Sequence, residues 1–293
     1  MAAIKNVVVI GAGGNVGPHV LSALQSAKFN VTVLSRESSS ATFPSDVKVH
    51  KSDYSHASLV SIFKGQDAIV SPVASAAVPE QKKFIDAAVE AGVKRYIPGD
   101  FGSDTTDQKV LDVVPVLGPK KDVLDYLKSK VDSGLTYTAI ANGAFFDWGL
   151  QVGFLGFDLK NHTARLFDDG SQKFSATNLP TVGRAVAAVL EKPAETANKF
   201  LFIRSVTTSQ KEILAALEKA TGKKWEVTKV DSKEELKIGQ DKLAKSDFSG
   251  VLNLLAVSIY GFTGLCDFEN KGLSNELLGL PKETVEGTVA KLV

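Results

Sequence analysis

The stretch Val7–Gly17, VVVIGAGGNVG, decides the fold, because an apolar run leads directly into a glycine-rich turn. This pattern is typical of a buried parallel strand that ends in a tight turn and continues as a helix. Gly11 suits the turn, Gly14 lets a pyrophosphate approach the backbone, and Gly17 permits close packing of the helix. The N-terminus of that helix offers free N–H groups and a favourable dipole to phosphate. We therefore predict a dinucleotide site whose loop also includes Gly13, Asn15 and Val16.

The end of the next apolar run, VTVLSR, indicates which dinucleotide binds. Sites that prefer NAD usually place Asp or Glu there to bind the ribose hydroxyls, whereas this chain has Ser35 and Arg36. Arg36 can bind a 2′-phosphate through two N–H groups, Ser35 can donate its hydroxyl, and Glu37 comes one position too late. This favours NADP(H). The alternative is an ordinary solvated arginine at a strand end.

Composition narrows the class of protein. The chain has 293 residues, 44% of them hydrophobic, and a net charge of +1, so we expect a globular protein without general affinity for nucleic acid or membranes. The single Cys266 excludes an internal disulfide, and the four histidines lack ligand spacing, so we expect no metal site. The first strand follows Met1 almost at once and no apolar run approaches a membrane span, which predicts a cytoplasmic protein.

Up to about residue 150 the chain alternates short apolar runs with helical patterns, which predicts βαβ units. We expect strands at 6–11, 30–35, 47–50, 67–72, 93–98 and 135–140, and helices at 17–27, 55–64, 79–91 and 119–130. Right-handed crossovers then give an α/β, Rossmann-type doubly wound parallel sheet. Its ligand crevice lies at the carboxyl ends of the strands.

Beyond Trp148 the pattern changes, and we expect a smaller α+β lobe that binds substrate. The predicted domains are 1–150 for the nucleotide and 151–293 for the substrate, the second partly discontinuous because a strand at 199–204 rejoins the main sheet. The remaining predicted elements are helices at 180–191, 208–221, 232–245, 248–258 and 282–292, and a strand at 225–230.

Lys120 is the candidate proton donor for a hydride-transfer reaction. Pro119 suits the first turn of a helix that starts at the crevice, so Lys120 lies beside the helix N-terminus. The helix dipole and partial burial both lower the pKa of this lysine. Lys121 is the competing candidate.

Tyr126 and Lys130 have the Tyr-xxx-Lys spacing of ordinary short-chain dehydrogenases. We interpret this spacing as accidental, because Tyr126 lies about 9 Å further along the helix than Lys120.

The chain resembles the isoflavone-reductase-like and NmrA-like branch of atypical short-chain dehydrogenases/reductases over most of its length. The glycines of the first turn match its GxxGxxG, Arg36 matches the arginine after its second strand, and GPKKDVLDYL resembles its KxxVxxYL helix. The stretch QKKFIDAAVEAGVKRYIPGDFG resembles its helix, strand and xPSEFG loop, and LTYTAIANGAFF its next strand and Asn-x-x-Phe exit. Gly99 and Asp100 stand where the plant reductases carry Ser and Glu.

The resemblance implies an NADPH-dependent reductase with Lys120 at the position of the catalytic lysine. It also implies that Asp53 lies near the adenine, Val73 and Ala74 beside the nicotinamide ribose, and Asn142 and Phe145 at the close of the cofactor site. Aromatic residues in the following stretch suggest an aromatic or polyketide-like substrate: Phe145, Phe146, Trp148, Phe154 and Phe157.

Two other functions stay open at this stage. NmrA-like proteins can use the same turn as a dinucleotide sensor that regulates a protein partner without chemistry. An isomerase or epimerase is disfavoured, because no Tyr-xxx-Lys pair lies in register. The expected partner is a small aromatic molecule, and a homodimer is a possible assembly.

Overall fold

The computed structural model describes residues 3–293. Its strands are β1 (Asn6–Ile10), β2 (Asn30–Arg36), β3 (Lys48–Ser52), β4 (Ala68–Val70), β5 (Arg95–Ile97), β6 (Thr136–Ala141), β7 (Ala144–Phe145), β8 (Phe157–Asp158), β9 (Thr163–Phe167), β10 (Phe174–Thr177), β11 (Lys199–Phe202), β12 (Val206–Thr208) and β13 (Glu226–Val230). Seven of them form a parallel sheet in the order β11-β6-β5-β4-β1-β2-β3. The predicted Rossmann-type fold class is confirmed.

Five helices cover the two faces of this sheet: α1, α2, α3, α5 and α7. The helices of the described residues are α1 (Gly17–Ser26), α2 (His56–Phe63), α3 (Gln81–Glu90), α4 (Gln108–Val113), α5 (Gly118–Ser129), α6 (Phe146–Gln151), α7 (Leu179–Glu191), α8 (Pro193–Thr196), α9 (Gln210–Thr221), α10 (Ser232–Ala244), α11 (Gly250–Tyr260) and α12 (Val285–Val289). Along β1, Val7 and Val9 pack towards α1 and α7, whereas Val8 and Ile10 pack towards α2, α3 and α5. Because both faces are buried, β1 is apolar throughout instead of alternating with polar residues.

The later half of the chain contributes to the main sheet and builds a second core. Strand β11 pairs with β6 in parallel, and α7 packs on α1 so closely that a Cβ at Gly183 would lie 2.3 Å from the His19 carbonyl oxygen. The second core lies among two three-stranded sheets, β12-β10-β7 and β13-β9-β8, and helices α9 and α11. The boundary at residue 150 stays a prediction.

Several element bounds differ from the expectations. The helix predicted at 79–91 is preceded by a 3-10 turn over Ser75–Glu80, and the one predicted at 282–292 covers only Val285–Val289, because the Thr284 side chain caps it by accepting from the Gly287 N–H. Strands β7, β8, β9, β10 and β12 were not predicted. Most of them are two to four residues long, too short for a readable alternation. Nowhere in residues 3–293 is there a helix with the length and apolarity to cross a membrane.

Candidate active site

The glycine-rich turn after β1 has the geometry that its sequence predicts. Gly11 has a φ of +91°, and the Gly14 N–H donates to its carbonyl oxygen at 3.1 Å. A Cβ at Gly17 would lie 2.4 Å from the Ala12 carbonyl oxygen, so only glycine lets α1 begin this close to the turn. Val16 precedes the helix and has no polar side-chain atom, which leaves the first N–H groups of α1 to a ligand.

A cavity of about 580 Å³ opens beside this turn. The structure gathers many of the predicted cofactor residues in its wall: Gly11, Gly13, Gly14, Ser35, Arg36, Val73 and Ala74. A Cβ at Gly14 would make only ordinary contacts with protein, 3.5 Å from the Gly11 carbonyl oxygen, so the space beside it is open to the cavity. The predicted residues outside the lining are Asn15, Val16, Gly17, Asp53, Lys120, Asn142 and Phe145.

The end of β2 brings positive charge to the cavity. Ser35 is buried and Arg36 is exposed, and both line the cavity. Lys51 on the neighbouring strand donates through Nζ to the carbonyl oxygens of Arg36 and Ser39. Sequence reasoning missed Lys51, because only the parallel pairing of β2 with β3 brings it beside Arg36.

Asp53, which was expected near the adenine, is not among the residues that line the cavity. Asp53 is exposed and accepts from the Ser55 N–H at 2.9 Å, and this hydrogen bond lowers its pKa. The next residue, Tyr54, lines the cavity with a φ of +61° and packs edge-on against Phe84. Phe43 also lines the cavity. Neither aromatic residue carried a motif that pointed to the site.

The loop after β5 explains one departure from the plant reductases. A Cβ at Gly99 would lie 2.7 Å from the Ser71 carbonyl oxygen and 3.4 Å from the Val73 backbone nitrogen. The Gly99 N–H also donates to Gln81 Oε1 at 2.9 Å. A serine at this position would clash with Ser71 unless the backbone moved, so glycine brings the loop directly against Val73.

Lys120 lies in the first turn of α5, as predicted, and points towards this loop. Its Nζ donates to the Phe101 carbonyl oxygen at 2.7 Å. Burial holds the pKa of the ammonium below its usual value, and the Asp100 carboxylate acts in the opposite direction. Lys121 instead pairs with Asp125 on its own helix. Of the two lysines, therefore, Lys120 is the one that contacts the loop after β5.

Asp100 is a buried carboxylate that sequence reasoning named but gave no role. Only about 2% of its surface is exposed, and it accepts from the Thr105 hydroxyl at 2.9 and 3.0 Å. Burial raises its pKa to about 6, against the lowering effects of Lys120 and Thr105. Its position in the loop that follows β5, at the carboxyl end of a parallel strand, is the signal that could have identified it.

This pKa predicts how stability depends on pH. A carboxyl group whose pKa is higher in the folded than in the unfolded state makes folding weaker as pH rises through that interval. The free energy of unfolding of the wild type, minus that of Asp100→Asn, should fall by up to about 3 kcal/mol between pH 4 and pH 7. Urea denaturation across this range measures it, with Asp241→Asn, exposed on α10, as control. A difference independent of pH would contradict it.

Asn142 directly follows β6 and is hydrogen-bonded to the same loop. The N–H groups of Asn142 and Gly143 both donate to the Gly102 carbonyl oxygen, at 3.1 and 3.0 Å. Asn142 is fully buried, and within residues 3–293 its Oδ1 has no hydrogen-bond partner. Such an unpaired acceptor is costly unless a ligand or water donates to it. Phe145 follows on β7 and contacts Trp148 edge-on.

The Tyr-xxx-Lys pair is engaged elsewhere. The Tyr126 hydroxyl donates to Asp86 on α3, and Lys130 forms an ion pair with the same carboxylate at 2.9 Å. The Lys130 Nζ also lies 4.5 Å from the Tyr126 ring centroid. These contacts join the C-terminal end of α5 to α3, whereas Lys120 lies in the first turn of α5.

The predicted aromatic surface is divided. Phe146 is completely buried in the second core and lines neither of the two cavities. Trp148, Phe154 and Phe157 line a separate cavity of about 760 Å³ between α6, β9 and the pair α10 and α11. Among the described residues, no group of three or more His, Cys, Asp or Glu side chains is placed to hold a metal.

Comparison with known proteins agrees with this architecture. The chain is 40% identical to the oxidoreductase aprR of Aspergillus flavus, with 98% of each chain covered. It is 30% identical to the isoflavone reductase homolog IRL of Zea mays, with 76% of this chain and 77% of the relative covered. The solved structure of AtPrR2 with NADP+ and (+)-pinoresinol covers all of both chains with a TM-score of 0.82 at 21% identity. Since the model of the NmrA-like family matches residues 3–248, the chain belongs to the NmrA-like family, and its resemblance to the isoflavone-reductase-like proteins is confirmed.

Proposed function

We propose that this protein is an oxidoreductase that uses NADPH to reduce a small aromatic molecule, with Lys120 as the proton donor. The relative named oxidoreductase and the NADP+ complex of the solved neighbour support the reaction class and the cofactor. One structural observation carries the proposal: the loop after β5 connects the cavity to Lys120. Gly99 lies against Val73 in the cavity wall, and Phe101 accepts the hydrogen bond from Lys120.

The residues around the cavity fit a phosphorylated dinucleotide. The open space at Gly14 and the uncapped N-terminus of α1 suit a pyrophosphate, and Arg36 suits a 2′-phosphate. Val73 and Ala74 would contact the nicotinamide half, and the unpaired Oδ1 of Asn142 offers an acceptor near the loop that holds Lys120. When bound, NADPH supplies a hydride.

Lys120 would complete the reduction. Its ammonium can donate a proton to the substrate atom that accumulates negative charge, and its lowered pKa brings that donor closer to the working range. The Phe101 carbonyl orients the ammonium, and Asp100 favours its protonated form. The second cavity has aromatic walls, which supports the proposal of an aryl substrate. Trp148 in this wall contacts Phe145 edge-on.

The test is oxidation of NADPH by the purified protein with a panel of aromatic compounds that begins with (+)-pinoresinol. We expect oxidation that depends on both protein and compound. Tight NADPH binding without oxidation across the panel would contradict the proposal. The sensor function would then be tested by capture of a protein partner in the presence and absence of NADPH.

The role of Arg36 gives a separate prediction about cofactor choice. Wild type should bind NADPH more tightly than NADH, and Arg36→Ala should lose about 10- to 100-fold in NADPH affinity, because a charge-assisted contact contributes roughly 1.5–3 kcal/mol. Fluorescence titration of both cofactors measures this. Arg184→Ala, which removes an exposed arginine on α7, is the control. Equal affinities of the wild type for both cofactors would exclude the NADP assignment.

A further inference from the structure

A cluster of four charged side chains lies where the loop after β5 meets the C-terminal part of the chain. Its members are Asp100, Asp104, Lys120 and Lys271. Both aspartates are only about 2% exposed. Lys271 follows Asp104 by 167 residues, yet its Nζ lies 2.6 Å from Asp104 Oδ2. The cluster therefore connects two distant segments beside the candidate proton donor.

The Asp104–Lys271 ion pair is built with well-defined partners. The second oxygen of Asp104 accepts from the N–H of Thr106 at 3.0 Å and from its hydroxyl, so both oxygens of the carboxylate have partners. Lys271 also lies 3.5 Å from Asp107, which caps α4, and 5.6 Å from the Phe202 ring centroid. Lys271 thus contacts both ends of the turn Asp104–Asp107 that precedes α4.

The Asp104–Lys271 ion pair also acts electrostatically on the neighbouring Asp100. Asp104 lies four residues after Asp100, and its negative charge raises the pKa of Asp100, whereas Lys120 lowers it. A positive charge on Lys271 offsets the effect of Asp104. Asp100 is then left to balance Lys120.

We propose that Lys271 is a positioning residue of the candidate active site: its ion pair with Asp104 fixes the loop that carries Asp100 and Phe101 and cancels a second negative charge beside Asp100, the carboxylate that acts on Lys120. This proposal rests on the proposed role of Lys120. A residue that only held the loop in place would have no signed effect on the protonation of Lys120.

Substitutions of the two members of the pair should therefore shift the pKa of Lys120 in opposite directions. Lys271→Met leaves Asp104 uncompensated, so the pKa of Lys120 should rise by about half to one pH unit. Asp104→Asn leaves the charge of Lys271 unbalanced, so that pKa should fall by a similar amount. The double variant, which replaces the ion pair by neutral groups, should return the pKa of Lys120 close to its wild-type value.

The titration of Lys120 can be measured without catalytic turnover. The folded protein is treated with acetic anhydride over a range of pH, and mass spectrometry of the peptide containing Lys120 gives its labelling rate. The pH profile of NADPH oxidation gives a second reading. Lys271→Arg should preserve both profiles, and Lys173→Met, which removes an exposed ion pair with Glu212, is the control.

Opposite shifts in the two single variants, with recovery in the double variant, would support the proposal. Unchanged labelling profiles, or shifts of the same sign in both single variants, would overturn it. Absence of NADPH oxidation by the wild type overturns the proposed function instead, and the labelling experiment separates the two.

Discussion

Lys120→Ala should lower turnover by about 10²- to 10⁴-fold while NADPH affinity changes little, since this is the usual effect of losing a general acid. The substitution removes the ammonium that donates to Phe101 and faces Asp100. It leaves the glycine-rich turn and Arg36 untouched. Single-turnover oxidation of NADPH, with a substrate found in the aromatic panel, measures the chemical step directly.

Two matched variants make this test specific. Lys121→Ala removes the neighbouring lysine, which pairs with Asp125, and Tyr126→Phe removes the hydroxyl that donates to Asp86. Both should keep most of the activity. Full activity in Lys120→Ala would exclude the proposed proton donor, and strong loss in Tyr126→Phe would point back to the Tyr-xxx-Lys pair.

Gly14→Val should abolish NADPH binding and leave the protein folded. The added Cβ meets only ordinary contacts with protein, so the fold tolerates it, but the branched side chain fills the space beside the turn that a pyrophosphate needs. NADPH fluorescence reports binding, and circular dichroism reports folding. Retained affinity in this variant would mean that the glycine run is only a turn.

Other glycines provide the controls. Gly17→Ala should unfold more easily than the wild type, because its Cβ would lie 2.4 Å from the Ala12 carbonyl oxygen. Gly118→Ala should change neither folding nor binding, since nothing lies within 4 Å of its added Cβ. Thermal unfolding of the three variants therefore separates a glycine needed for the ligand from one needed for packing.

The local pattern of the sequence was sufficient to predict the strands β1 to β6 in the first half of the chain. The apolar runs around β1, β2 and β6 and the helical pattern of α5 are set by the backbone period and by which face is buried, both of which can be read within a few residues. The position of Lys120 in the first turn of α5 follows from Pro119 in the same way. The short strands β7, β10 and β12 could not be predicted, because their partners are distant in sequence.

The sequence by itself determined the glycine-rich turn, the arginine at the end of β2 and the lysine at the start of α5, since each follows from the chemistry of a few adjacent residues. Only the tertiary structure decided that Tyr54 lines the cavity beside the exposed Asp53, that burial raises the pKa of Asp100, and that Lys271 reaches Asp104 across 167 residues. Burial and ion pairing depend on which segments the folded chain brings together. No periodicity or spacing along the sequence shows which distant segments will meet.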